Sequence, residues 1–123
     1  MEEIFEKISD SELEVMKVLW ASAEALPVSV LRQTLRASQG WEATTVKTLV
    51  QRLCAKGAVT QEKRKIFYYR AAVSQTDYNS WAARSLVSKL YQGRASNLVA
   101  ALVDSKGLSA DDIAELKAMF EKF

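Results

Sequence analysis

The chain has 123 residues, 49% apolar and 26% charged, which suits one small folded unit with an appendage and excludes a disordered polymer. With no histidine and one cysteine, Cys54, it excludes a closed zinc or copper site within one chain, an intrachain disulfide and the usual imidazole general base. The net charge is only +2, yet residues 42–70 hold seven basic residues against two acidic ones, while residues 74–123 balance six against six; positive potential gathers in one segment, as a phosphate-binding surface requires.

The first helix signal is Ser9 with Glu12, a capping-box spacing in which each side chain satisfies the other residue's free N–H, flanked by Ile8 and Leu13 as a hydrophobic staple. Leu13, Met16, Val18, Leu19 and Trp20 give this helix a broad apolar face, and it is predicted to end near residues 21–23. Pro27 suits the first turn of a second helix, where its missing N–H costs nothing. Val28, Leu31 and Leu35 then face the core, and Ser38-Gln39-Gly40 follows as a turn.

A third helix is predicted over residues 43–56, with Val46, Leu49, Val50 and Leu53 as its buried stripe. Gly57 is placed as its C-cap, and Lys56 suits the negative end of the dipole. Its outer face carries Thr44, Thr45, Lys47, Thr48, Gln51 and Arg52. Such short polar and bidentate side chains suit base edges in a major groove: Arg52 could fork onto guanine and Gln51 onto adenine. Trp41, just before this helix, suits packing against the cap, and its indole N–H suits a phosphate.

Val59-Thr60-Gln61 and Ile66-Phe67-Tyr68-Tyr69 read as two strands, and residues 62–65 as the tip of their hairpin. Lys63, Arg64 and Lys65 at that tip suit phosphates or a minor groove; the plain alternative is an edge guarded by charge. Ser74 with Asp77, and Val73 with Tyr78, open a fourth helix running to about residues 92–93. A fifth covers about residues 96–103. Ser109 with Asp112 opens a sixth, with Ile113, Leu116, Phe120 and Phe123 along one face.

The expected fold is mainly α with a small β hairpin: a winged helix-turn-helix DNA-binding domain over residues 1–73, then a helical dimerisation region over residues 74–123. The C-terminal helices cannot build a large core alone, and a second copy of the chain is the simplest cover. Trp81, Leu86, Leu90, Tyr91, Leu98, Leu102, Ile113, Leu116 and Phe120 are the candidate dimer residues. No stretch reaches the apolar length of a membrane span, and the acidic residues 1–6 do not resemble a signal peptide, so a cytoplasmic protein is expected. No catalytic constellation, metal site or cofactor is expected.

These segments together resemble one family. Residues 8–16 with Val18-Leu19-Trp20, then Trp41 with residues 45–53 and Lys56-Gly57, then residues 66–69, 89–93 and 108–116, are similar to the BlaI/MecI/CopY family of bacterial repressors along nearly the whole chain. The resemblance implies a homodimer on a palindromic double-stranded DNA operator, with Thr44, Thr45, Lys47, Thr48, Gln51 and Arg52 facing DNA and residues 63–65 as the wing. It also implies a regulatory protease as partner in the β-lactam-responsive members, which are cut at an Asn-Phe bond; here that pair is Ala101-Leu102. The copper-responsive members carry a C-terminal cysteine cluster, absent up to Phe123. The competing readings are a winged helix sensing a small molecule or metal, with Tyr78, Trp81 and Tyr91 lining a pocket, and a winged helix that recruits protein.

Overall fold

The computed structural model describes all 123 residues, which divide into two compact units, Met1–Trp81 and Ala82–Phe123. The first contains α1 (Glu2–Glu6), α2 (Asp10–Trp20), β1 (Leu26–Pro27), α3 (Val28–Gln39), α4 (Ala43–Ala55), β2 (Val59–Lys63), β3 (Phe67–Ala71) and the start of α5 (Gln75–Tyr91). The second contains the rest of α5, then α6 (Ala95–Asp104) and α7 (Ala110–Phe120). No helix is long and apolar enough to cross a membrane.

The Ser9 capping box forms as expected: the Ser9 hydroxyl accepts from the Glu12 N–H, and the Ser9 N–H donates to the Glu12 carboxylate at 2.8 Å. Val15, Met16 and Leu19 of α2, Leu31 and Leu35 of α3, and Val46, Leu49, Val50 and Leu53 of α4 form one buried core, closed by Ala58, Val59 and Val73. Val28 is only half-buried, because it lies at the start of α3 beside the hairpin rather than under α2. Helix α3 also runs through Ser38 and Gln39, which were expected in a turn. It stops at Gly40, whose left-handed backbone (φ 73°) only glycine adopts cheaply.

The end of α4 is a Schellman turn. The Ala58 N–H donates to the Leu53 carbonyl and the Gly57 N–H to the Cys54 carbonyl, with Gly57 at φ +82°. This turn sends the chain straight into β2. The sheet is antiparallel in the order β1-β3-β2, with Val59 opposite Ala71 and Lys63 opposite Phe67. Glu62 and Lys63 therefore belong to a strand, and the hairpin tip is Arg64-Lys65-Ile66, starting two residues later than expected and ending one later. Strand β1 was not foreseen: Leu26 and Pro27 pair with Tyr69 and Tyr68.

Helix α1 was not foreseen either. Its Phe5 is buried and meets Tyr78 edge-on at 5.5 Å and Trp81 at 5.7 Å. Tyr78 also meets Trp20, whose indole N–H donates to the Val73 carbonyl at 2.8 Å. Tyr78 and Trp81 thus pack ring against ring within the first unit. Helices α2, α3 and α4 followed by a strand-backed hairpin make the first unit a winged helix-turn-helix, and the whole chain is mainly α with a small sheet.

In the second unit the Ser109–Asp112 capping box forms in both directions, at 3.0 Å each. At the start of α5 the Ser74 hydroxyl accepts from the Asp77 N–H. That helix ends at Tyr91, because Gln92 and Gly93 both take positive φ. No side chain of the second unit is buried. Leu86, Leu90, Leu102, Ile113 and Phe120 are exposed, and Tyr91, Leu98 and Leu116 are half-buried.

Candidate nucleic-acid interface

Helix α4 buries its apolar stripe against α2 and α3, and this fixes which side chains face out. Thr44, Thr45, Lys47, Thr48, Gln51 and Arg52 are all exposed. Thr44, Thr48 and Arg52 follow one another at i, i+4 and i+8, so they stack in a single row. With Thr45 and Leu49 they line a shallow concavity of about 250 Å3. The Thr48 hydroxyl donates to the Thr44 carbonyl at 2.9 Å, which leaves its oxygen lone pairs and its methyl for a ligand. The row therefore offers an acceptor and a methyl beside the guanidinium fork of Arg52.

Glu42 is the N-cap of α4 but makes no side-chain cap bond, and it is exposed. Trp41 is half-buried and packs against the core, in agreement with a cap-packing role for its ring. Cys54 is half-buried beside the same core, and burial pushes its thiol above the usual value. That is the state of an unreactive thiol.

The hairpin cations differ from one another. Arg64, at the tip, bonds Glu62 two residues back at 3.2 Å and lies 4.3 Å over the Tyr68 ring. Lys63 stands 6.0 Å over Phe67. Lys65 enters no ion pair; it lines a second cleft of about 430 Å3 together with Lys47 of α4. Two residues of α3 that sequence reasoning missed, Ser29 and Arg32, line the same cleft. Their polarity was visible, but nothing local tells which exposed face of α3 looks toward the hairpin.

A longer-range tie holds α4 in place. The Lys56 ammonium donates to both oxygens of the buried Glu12 carboxylate, at 2.6 and 2.7 Å, and to the Lys7 carbonyl at 2.7 Å. Lys56 was expected only to face the helix dipole; its charge is spent on Glu12 instead. Burial pushes the Glu12 carboxyl up, but the bonds from Lys56 and Ser9 and the charge of Lys56 outweigh it and hold the group below its ordinary value. The C-terminal end of α4 is thereby pinned to the start of α2.

Residues 8–122 match a family model described as penicillinase repressor. The chain is 31% identical over 117 residues to the methicillin resistance regulatory protein MecI of Mammaliicoccus sciuri, covering 94% of each. It is also 31% identical over 117 residues to the penicillinase repressor of Bacillus licheniformis, covering 94% of this chain and 91% of that one. Among solved structures it is similar to the DNA-binding domain of the repressor BlaI, with TM-score 0.54 and 34% identity over 58% of this chain and 88% of that one. It is similar too to monomeric Bacillus licheniformis BlaI in complex with the blaP half-operator, with TM-score 0.52 and 34% identity over the same shares.

Proposed function

The chain belongs to the penicillinase repressor family of bacterial transcriptional repressors, and on that premise we propose that it is a cytoplasmic homodimer that binds a palindromic operator. The carrying observation is the exposed Thr44-Thr45-Thr48-Arg52 face of α4, standing on a packed core beside a hairpin with free lysines. In this reading α4 enters the major groove and its outward row meets base edges. Lys47, Gln51 and the hairpin residues 63–65 complete the DNA surface, and Trp41 braces the entry to α4.

The second unit supplies the pairing. Its three helical segments bury no side chain by themselves, although Leu86, Leu90, Leu102, Ile113 and Phe120 are large and apolar. Burying such groups is worth about 1.5–3 kcal/mol each, and a second copy of the same surface is the simplest partner. Tyr91, Leu98 and Leu116 support that surface from half-buried positions. Trp81, a further candidate, is half-buried and packs against Phe5. Two copies related by a two-fold axis would place two α4 helices on two half-sites, the geometry a palindrome matches. Proteolytic release at Ala101-Leu102 is no part of the proposal, since that pair lies inside α6 and lacks the Asn-Phe side chains.

The test is sedimentation of the purified chain, alone and with random genomic duplex, over a range of salt. The proposal expects a dimer at micromolar concentration and an affinity that falls steeply with salt. A monomer with no salt-sensitive affinity for any duplex would overturn it.

A further inference from the structure

The cleft between α3, α4 and the hairpin tip has features that base reading does not use. It receives one cation from each of three elements: Arg32 from α3, Lys47 from α4 and Lys65 from the tip. None of the three is in an ion pair, and no carboxylate lines the cleft. Lys56 and Arg64, by contrast, have their charges matched within the chain. The Arg32 Nε is enclosed and has no hydrogen-bond partner in the protein, so no internal acceptor ties down this guanidinium. Ser29 adds a hydroxyl, and α3 starts at Pro27 without a side-chain cap, so its first-turn amides stay available to an anion.

The rest of the lining is Val28, Tyr69, Ile66 and Phe67, the last two exposed although large and apolar. An anion with an apolar neighbour fits these walls. Low-dielectric walls also strengthen the pull of the three charges. The cleft shares no residue with the Thr44–Arg52 concavity on the other side of α4.

The geometry points to a backbone clamp: this cleft seats one sugar-phosphate unit of the DNA strand that borders the groove read by α4. The phosphate is held by Arg32, Lys47, Lys65 and Ser29, and the deoxyribose lies on Ile66 and Phe67. The inference rests on the DNA-binding reading above and assigns Ser29 and Arg32 to it as phosphate-holding residues. It also divides the labour on α4, with Lys47 on the backbone side and Arg52 on the base side.

The experiment uses the full chain and a duplex carrying a site selected from random DNA, with binding followed by fluorescence anisotropy at several salt concentrations. Arg32→Ala and Arg32→Met, the second keeping an aliphatic stem against the cleft wall, are both expected to weaken binding about tenfold. Both should lower the salt slope by about 0.9 per half-site, about 1.8 for the dimer on its full site, and leave base preference unchanged. On the wild-type protein, backbone phosphates are replaced one at a time by neutral methylphosphonates; among the sensitive positions, one per half-site should fall silent in Arg32→Met. Wild-type slope and affinity in both variants, a changed base preference, or a scan in which no position depends on Arg32 would overturn the clamp while DNA binding itself stood. If the wild-type chain binds no duplex, the DNA-binding reading fails and the clamp with it.

Discussion

Replacing Lys56 by Met removes the only cation that reaches the buried Glu12 carboxylate. Glu12 is 1% exposed, and after the change only the Ser9 N–H, at 2.8 Å, would still serve it among the groups that bond it now. Breaking one side of a buried pair costs about 3–5 kcal/mol. The Lys56 side chain is 28% exposed, so water reaches this end of the pair and the low end applies, about 3 kcal/mol. For a unit of this size, that lowers the melting temperature by about 12–24 °C. The pH dependence should also change sign. In the wild-type chain the folded carboxyl titrates below its unfolded value, so its contribution is present above the ordinary 4.5 and is lost as pH falls through the lower folded value. In Lys56→Met burial, the largest single influence, is opposed only by the Ser9 bonds, and the folded carboxyl is expected above the unfolded one. Stability then falls as pH rises from the ordinary 4.5 to that raised value, and the variant regains part of its deficit on acidification toward 4.5. Urea titrations read by tryptophan fluorescence, at one fixed protein concentration because association also stabilises, measure both effects. A loss under about 1 kcal/mol with the wild-type pH trend would show an ordinary surface ion pair and refute the reasoning.

Three further outcomes follow from the interface and from the second unit. Arg52→Ala should relax preference at one operator position, costing about 1–3 kcal/mol there, in a binding assay across single-base variants of the site; a uniform loss would place Arg52 on phosphate. Lys65→Ala should weaken binding equally for all sequences and flatten the salt slope, as anisotropy at several salt concentrations would record, and an unchanged slope would remove Lys65 from the interface. Phe120→Asp, at a position that is 60% exposed in the single chain, should shift the sedimenting species to monomer while the first unit keeps its helical signal; a persistent dimer would move the interface elsewhere.

Features made within one turn were legible in the sequence. The capping boxes at Ser9 and Ser109 bond residues three apart, so their pattern is written in the residues themselves. The stripe Val46, Leu49, Val50 and Leu53 has helical spacing, and it also fixes the outward row of α4. What stayed hidden depends on distant partners. Leu26 and Pro27 form a strand only because Tyr68 and Tyr69 pair with them. Helix α1, five residues long, has no side-chain cap bond and is held by Phe5 against Tyr78 and Trp81. The tie from Lys56 to Glu12 spans 44 positions. Arg32 joins the hairpin surface only once α3 is docked. The tip residues looked alike in sequence, yet Glu62 claims Arg64 and leaves Lys65 free, a choice made only once the hairpin has formed.

The central claim is that two copies of one α4 reading face are presented together to DNA. Selection of bound duplexes from a random pool by the full chain tests it most directly. The account predicts an inverted repeat whose half-sites are centred about one helical turn, 10–10.5 base pairs, or a multiple of it apart. A pool with no enriched motif, or a lone half-site held by a single chain, would contradict it.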